Sequence, residues 1–86
     1  MRSRETLHRL LHDPRYSLAD AEVWYVDRGA PGDVSRAAGS EIVSVGPFAF
    51  RVATVTGTKD IPHHRIVRIL HRGEVLWERG ARREGP

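Results

Sequence analysis

The residues best equipped for chemistry lie in "IPHHRI", Ile61 to Ile66. Histidine exchanges protons near neutral pH and can donate hydrogen bonds to phosphate. Arginine presents a planar fork that matches a phosphate bidentately. His63, His64 and Arg65 in succession therefore describe either an anion site or a solvated turn with a capping histidine. A second polar stretch, "YVDRGAPGD", runs from Tyr25 to Asp33. A loop holding Gly29, Pro31 and Gly32 can turn successive backbone N–H groups toward an anion. In the same stretch Asp27 can orient Arg28 or accept a hydrogen bond from a histidine. The plain alternative is a surface ion pair on a Gly-Pro turn, and composition alone favours it. His8 and His12 are four apart and share a helical face, but a metal also needs a third ligand and shelter. Trp24, Tyr25 and Trp77 could stack on a base, although in a small core such rings more often pack. The serines have no triad context, and no glycine-rich phosphate loop opens a helix. No catalytic residue, metal or cofactor is expected.

Composition bounds what can hold these groups. The 86 residues suffice for one domain with a thin core. There is no cysteine, which excludes disulfides and thiolate metal sites and fits a reducing, cytoplasmic setting. The start, "MRSRETLHRLLHD", is basic without an apolar segment, so a signal peptide is not expected. No apolar run approaches the ~18 residues of a membrane span. The pI of about 10.2 invites a nucleic-acid reading. The charge, however, sits at the ends. Without residues 1–4 and 79–86, nine of the fourteen basic and ten of the eleven acidic residues remain, net −1. A body like this suits a small, local anion site better than a coat of phosphate contacts.

The elements that must position the site follow from periodicity. Leu7, Leu10 and Leu11 form one apolar stripe and predict a helix over 4–12, with Ser3 as N-cap and Pro14 stopping it near Asp13. "EVWYVDR" and "EIVSVG" read as strands, with a polar loop over Ser35–Ser40 between them. In "PFAFRVATV", Phe48, Phe50 and Val52 face one way and Ala49, Arg51 and Ala53 the other. "RIVRILHR" and "EVLWER" flank Gly73 as a hairpin. A regular strand over 61–70 would put Arg65 on the face of Val67 and Ile69, burying a guanidinium at a cost of several kcal/mol. A turn or bulge at Pro62–Arg65 resolves that conflict. The expected fold is α+β: one N-terminal helix on a curled antiparallel sheet of about five strands, with a small, partly open barrel as the limiting case. Residues 1–79 are expected to form the domain and 80–86 a disordered basic tail.

"LHRLLHDPRYS", "EVWYVDRGAPGD" and "IPHHRIVRILHRGEVLWER" appear in order, and together they resemble a small family found in archaea, bacteria and eukaryotes, the RNA cyclic group end recognition domain. The resemblance runs from about Thr6 to Arg79. Its most specific part maps onto Ile61, Pro62, His64, Arg65, Ile66, Gly73 and Trp77, and Asp27-Arg28 and Asp13-Pro14-Arg15 also match. The chain departs at His12, where relatives often carry tryptophan, and the segment from Val34 to Ser40 is variable.

The resemblance implies a role in RNA repair or processing, through binding RNA ends that carry a 2′,3′-cyclic phosphate or a related phosphate. Arg28 and Arg65 would bind the phosphate and His64 would donate to it, with Asp27, Tyr25 and Arg15 completing the site. An exposed aromatic would stack on the end base. Because His64 and not His63 falls on the motif, His64 is the expected ligand. RNA ligases and phosphoesterases are the implied protein partners of a monomer. Two other readings stay open: an enzyme of RNA ends with His64 as acid or base, and a protein–protein adaptor. Hydrolysis of a cyclic phosphodiester usually needs two acid–base groups or a metal, which favours a non-catalytic reader.

Overall fold

Pro14 ends the helix as expected. In the computed structural model, which describes residues 2–79, helix α1 spans Ser3–His12 and stops at Asp13. Its N-cap is Arg2, one residue before the expected Ser3, and the Arg2 N–H donates to the Glu5 carboxylate at 2.7 Å. Ser3 instead ties the helix to the rest of the fold, its buried hydroxyl donating to the carbonyl of His63 at 3.2 Å. Leu7 and Leu10 are buried, whereas Leu11 stays 42 % exposed on the margin of the stripe. Burying each of the first two leucines contributes about 1.5–3 kcal/mol, and that contact holds a helix too short to persist alone.

Seven antiparallel strands follow: β1 Ala21–Val26, β2 Val34–Ala38, β3 Ile42–Val45, β4 Ala49–Thr54, β5 Gly57–Pro62, β6 Ile66–His71 and β7 Glu74–Glu78. They form two sheets, in the orders β2-β1-β6-β7 and β3-β4-β5. The α+β class and the single N-terminal helix stand; one curled sheet of about five strands becomes two sheets of four and three, with no closed barrel among the described residues. The two extra strands are β2 and β5. In β2 only Ala37 is fully buried, so its sequence shows no clear alternation. In β5 the first four residues are exposed, and the strand exists because it pairs with β4 from Ala49↔Pro62 to Thr54↔Gly57.

The core lies between the sheets, where Val23 and Tyr25 of β1 and Ile66 and Ile69 of β6 meet Phe50 and Val52 of β4 and the helix leucines. Phe50 and Val52 face inward as the alternation predicts, but Phe48 precedes the strand and is 84 % exposed. The β6–β7 hairpin turns through Arg72 (φ 52°) and Gly73 (φ 83°). Two positive φ values in a two-residue loop match the right-handed twist of the flanking strands. Gly39 has another reason to be glycine: a Cβ there would sit 1.7 Å from the Leu18 carbonyl oxygen. No helix among the described residues is long and apolar enough to cross a membrane.

Candidate nucleic-acid interface

The motif His63–Arg65 is a single 3₁₀ turn between β5 and β6. Pro62 closes β5 and Ile66, fully buried, opens β6, so the three residues between them are free of the strand period. The turn resolves the parity conflict. His64 and Arg65 are exposed, and His63 is turned inward.

Register then brings the second motif to this turn. In the β1–β6 pair, Tyr25 lies opposite Ile66, with a bulge between Trp24 and Tyr25. Paired Cα atoms in an antiparallel ladder are about 4.5–5.5 Å apart. The chain leaves β1 into Asp27-Arg28 beside the point where it enters β6 from His64-Arg65. Two motifs separated by nearly forty residues thus lie at the same end of the four-stranded sheet.

Five arginines are engaged by acids. Arg15, Arg36, Arg51, Arg68 and Arg72 are salt-bridged, to Asp13, Glu22, Asp60, Glu78 and Asp20. Arg28 and Arg65 are exposed and have no such carboxylate partner among the described residues. Arg79 approaches the same turn, donating its guanidinium to the His64 carbonyl and its backbone N–H to Val67. Arg4 follows Ser3, whose hydroxyl bonds the His63 carbonyl, and its positive charge lowers the His63 pKa. Composition assigned Arg79 to a basic tail; the fold sets it against the motif.

Asp27 is held by Ser35, whose hydroxyl donates to it at 2.6 Å, and by Lys59 at 3.9 Å, rather than by Arg28 or a histidine. Lys59 also lies over the Tyr25 ring, 5.5 Å from its centroid. Tyr25 is a core residue, packed edge-on against Phe50 at 6.3 Å, so its ring is not a surface for a base. The loop after β1 does not present a row of open amides. Asp27 N–H donates to Asp33, Ala30 N–H to Asp27, Asp33 N–H to Ala30, and Gly29 N–H to the Asp33 carboxylate. Arg15 is elsewhere. It forks onto Asp13 at 3.2 and 2.8 Å, and the neighbouring Tyr16 and Ser17 dock on His71. His71 ends β6 and Ile66 begins it, five residue steps or about 17 Å apart.

The sequence reading overlooked His63 as a structural group. Its Nε2–H donates to the Gly46 carbonyl at 2.8 Å, its backbone N–H donates to Phe48 at 3.0 Å, and its ring stacks on Phe50 at 6.1 Å. Its Nδ1 is buried without a partner among the described residues. Burial is the main cause that pushes its pKa below the usual histidine value; the Gly46 bond opposes that, and the electrostatic influence of Arg4 and His8 adds to it. His63 is therefore a neutral fastener between the turn and the loop before β4. A signal was present: His63 is two residues from Ile61, the spacing of one strand face. Lys59, the lone lysine of the chain, carried no comparable signal.

His8 and His12 stack at 5.9 Å, and no group of three or more metal-ligating side chains occurs among the described residues. What the fold and the polar end of the sheet define is a small two-sheet α+β domain with unpaired arginines at one rim. The chain belongs to the MJ1316 RNA cyclic group end recognition domain family, whose model matches residues 1–79. It is 36 % identical over 76 residues to UPF0248 protein MK0350 of Methanopyrus kandleri, covering 88 % of this chain and 97 % of the relative. A UPF0248 protein of Pyrobaculum calidifontis is 36 % identical over 77 residues, covering 88 % of this chain and all of the relative. One of Thermococcus gammatolerans is 32 % identical over 82 residues, covering 94 % and 93 %. No solved structure matches the chain.

Proposed function

We propose that residues 1–79 act as one non-catalytic module that binds RNA termini bearing a 2′,3′-cyclic phosphate or a related phosphate, in RNA repair or processing. Arg28 and Arg65 clamp the terminal phosphate, and His64 donates a hydrogen bond to it. Asp27 acts indirectly, by tying the start of the loop to Ser35 and Lys59. The observation that carries this reading is the division among the arginines. Those salt-bridged to acids, Arg15 among them, brace strands and loops, while Arg28 and Arg65 are left without such a partner, in two motifs that lie at the same end of the four-stranded sheet. An exposed guanidinium without a counter-ion keeps its fork available for a bidentate phosphate contact.

Support for a reader over an enzyme comes from inventory. Opening a cyclic phosphate with water needs a base for the water and an acid for the leaving oxygen. His64 can fill one role. His63 is buried, neutral and spent on Gly46, so it is withdrawn from the other. RNA ligases or phosphoesterases are the protein partners this role would serve, with the domain acting as a monomer in the cytoplasm.

The test is a binding comparison with three oligoribonucleotides, ending in cyclic phosphate, 3′-phosphate and 3′-hydroxyl. The phosphate-bearing ends should bind more tightly than the hydroxyl end. Arg65→Ala and Arg28→Ala should each weaken them about tenfold, the scale of one charge-assisted hydrogen bond. Equal affinity for all three ends would point to an adaptor. Multiple turnover of the cyclic end that His64→Ala abolishes would make the domain an enzyme.

A further inference from the structure

Phe48 has the size of a core residue and the exposure of a surface one, at 84 %. It lines a shallow pit of about 310 Å³ together with Gly46, Pro47, Ala49, Arg51 and Asp60. That volume is at the low end of the range for small-molecule sites. The pit lies on the outer side of the three-stranded sheet, since Arg51 and Asp60 face away from inward-pointing Phe50 and Ile61.

Two features separate this ring from an ordinary exposed apolar side chain. The first is how it is held. The loop carrying it is closed by Gly46 N–H donating to Ala49 at 2.9 Å, and it is fastened to His63 by the 2.8 Å ring bond to Gly46 and the 3.0 Å backbone bond to Phe48 itself. The exposed ring is therefore tied, through one residue, to the His64-Arg65 turn. The second is its setting. Arg51 and Asp60 form a bidentate pair at 2.7 and 3.3 Å, which neutralises the pit. A phosphate gains little there. The pair spends two of the five guanidinium N–H donors, and the three others, with the remaining carboxylate lone pairs, suit the polar edge of a neutral planar group.

We propose that Phe48 is the seat on which the nucleobase of the bound RNA end stacks, with Arg51 and Asp60 along the edge of that base. The proposal rests on the reading of the His64-Arg65 turn as the phosphate site and adds to it a subsite for the nucleoside. It assigns to Phe48 the stacking role that the buried Tyr25 cannot fill. Because every base has a π-face, the seat accepts any of the four. It makes the domain a reader of a nucleotide end rather than of phosphate alone.

The experiment uses the full chain and two pairs of probes. One pair is an oligoribonucleotide with a 3′-phosphate and the same oligonucleotide with an abasic last nucleotide. The other is adenosine and inorganic phosphate, followed by NMR at the Phe48 ring. Phe48 is exposed, so Phe48→Leu should fold, which thermal unfolding confirms. Phe48→Leu should weaken the oligonucleotide about tenfold, the loss of one base–aromatic stack. Phe48→Tyr should restore affinity, the abasic end should cost the wild type a similar factor, and it should cost Phe48→Leu nothing further. Adenosine, and not phosphate, should shift the ring resonances. If Phe48→Leu keeps full affinity while Arg65→Ala loses it, the base seat is wrong and the phosphate site stands. That result would also hold if Phe48 docks a protein instead. If adenosine shifts the ring but no phosphate-bearing end is preferred, the seat stands and the phosphate reading falls. If adenosine leaves the ring unshifted and no phosphate-bearing end is preferred, both are overturned.

Discussion

Replacing His63 with phenylalanine separates the two things that residue does. The ring and its stack on Phe50 survive, and so do the backbone bonds at position 63. What is lost is the donor to the Gly46 carbonyl. A buried acceptor left without a donor costs about 1–3 kcal/mol. Gly46 is only half-buried, so water recovers part of that. Removing Nδ1, which has no partner, offsets a little more. A net loss of about 1 kcal/mol should lower Tm by roughly 4–8 °C in a domain of this size. The pH dependence is the sharper assay. The folded pKa of His63 lies below its unfolded value, so as pH falls through about 6.5 the unfolded chain takes up a proton that the folded chain resists. The contribution is complete above that pH and declines below it, by at most about 1.4 kcal/mol per pH unit. Urea unfolding of wild type and His63→Phe between pH 8 and 5 isolates this residue, because the other four histidines are common to both. The wild-type advantage should shrink as the solution is acidified. A difference in stability that stays constant with pH would refute the account of His63 as a buried neutral fastener.

Two further outcomes follow from packing and from the ion pair at the helix end. Leu10→Ala should cost about 2–5 kcal/mol and leave the domain largely unfolded at 37 °C, while Leu11→Ala, at an exposed position, should shift Tm little; circular dichroism melts compare the two. Asp13, whose carboxyl is pulled down to about 2 chiefly by its side-chain hydrogen bond with Arg15, should stay ionised far into acid. Its depressed pKa favours the fold above the ordinary carboxylate range, and that advantage disappears as pH falls toward 2. Carboxyl NMR titration should show the low midpoint, and Arg15→Ala should raise it while leaving RNA-end affinity unchanged.

Local chemistry was legible in the chain. Pro14 stops α1 because its ring cannot continue a helix, Gly73 turns β6 into β7 because a residue without a Cβ takes positive φ freely, and Phe50 and Val52 face inward because a strand alternates every residue. The interruption at residues 63–65 was legible too, since an unbroken strand would have buried the Arg65 guanidinium. Each of these depends on a few neighbouring residues. The strand identity of β2 and β5 did not, because their weakly patterned residues take strand form only by pairing with β1 and β4. The same limit governs the site. His63 and His64 are adjacent and chemically identical, and what sends one into the core and the other into solvent is the position of Gly46 and Phe50, more than ten residues away. Arg79 looks like a tail charge until the end of β7 carries it to the turn. Phe48, expected to face inward with Phe50 and Val52, is exposed, because burial is decided by which surfaces meet across the two sheets. Charge and residue type are properties of the chain; which arginines are left without an acid partner is a property of the distances that only the packed sheets create.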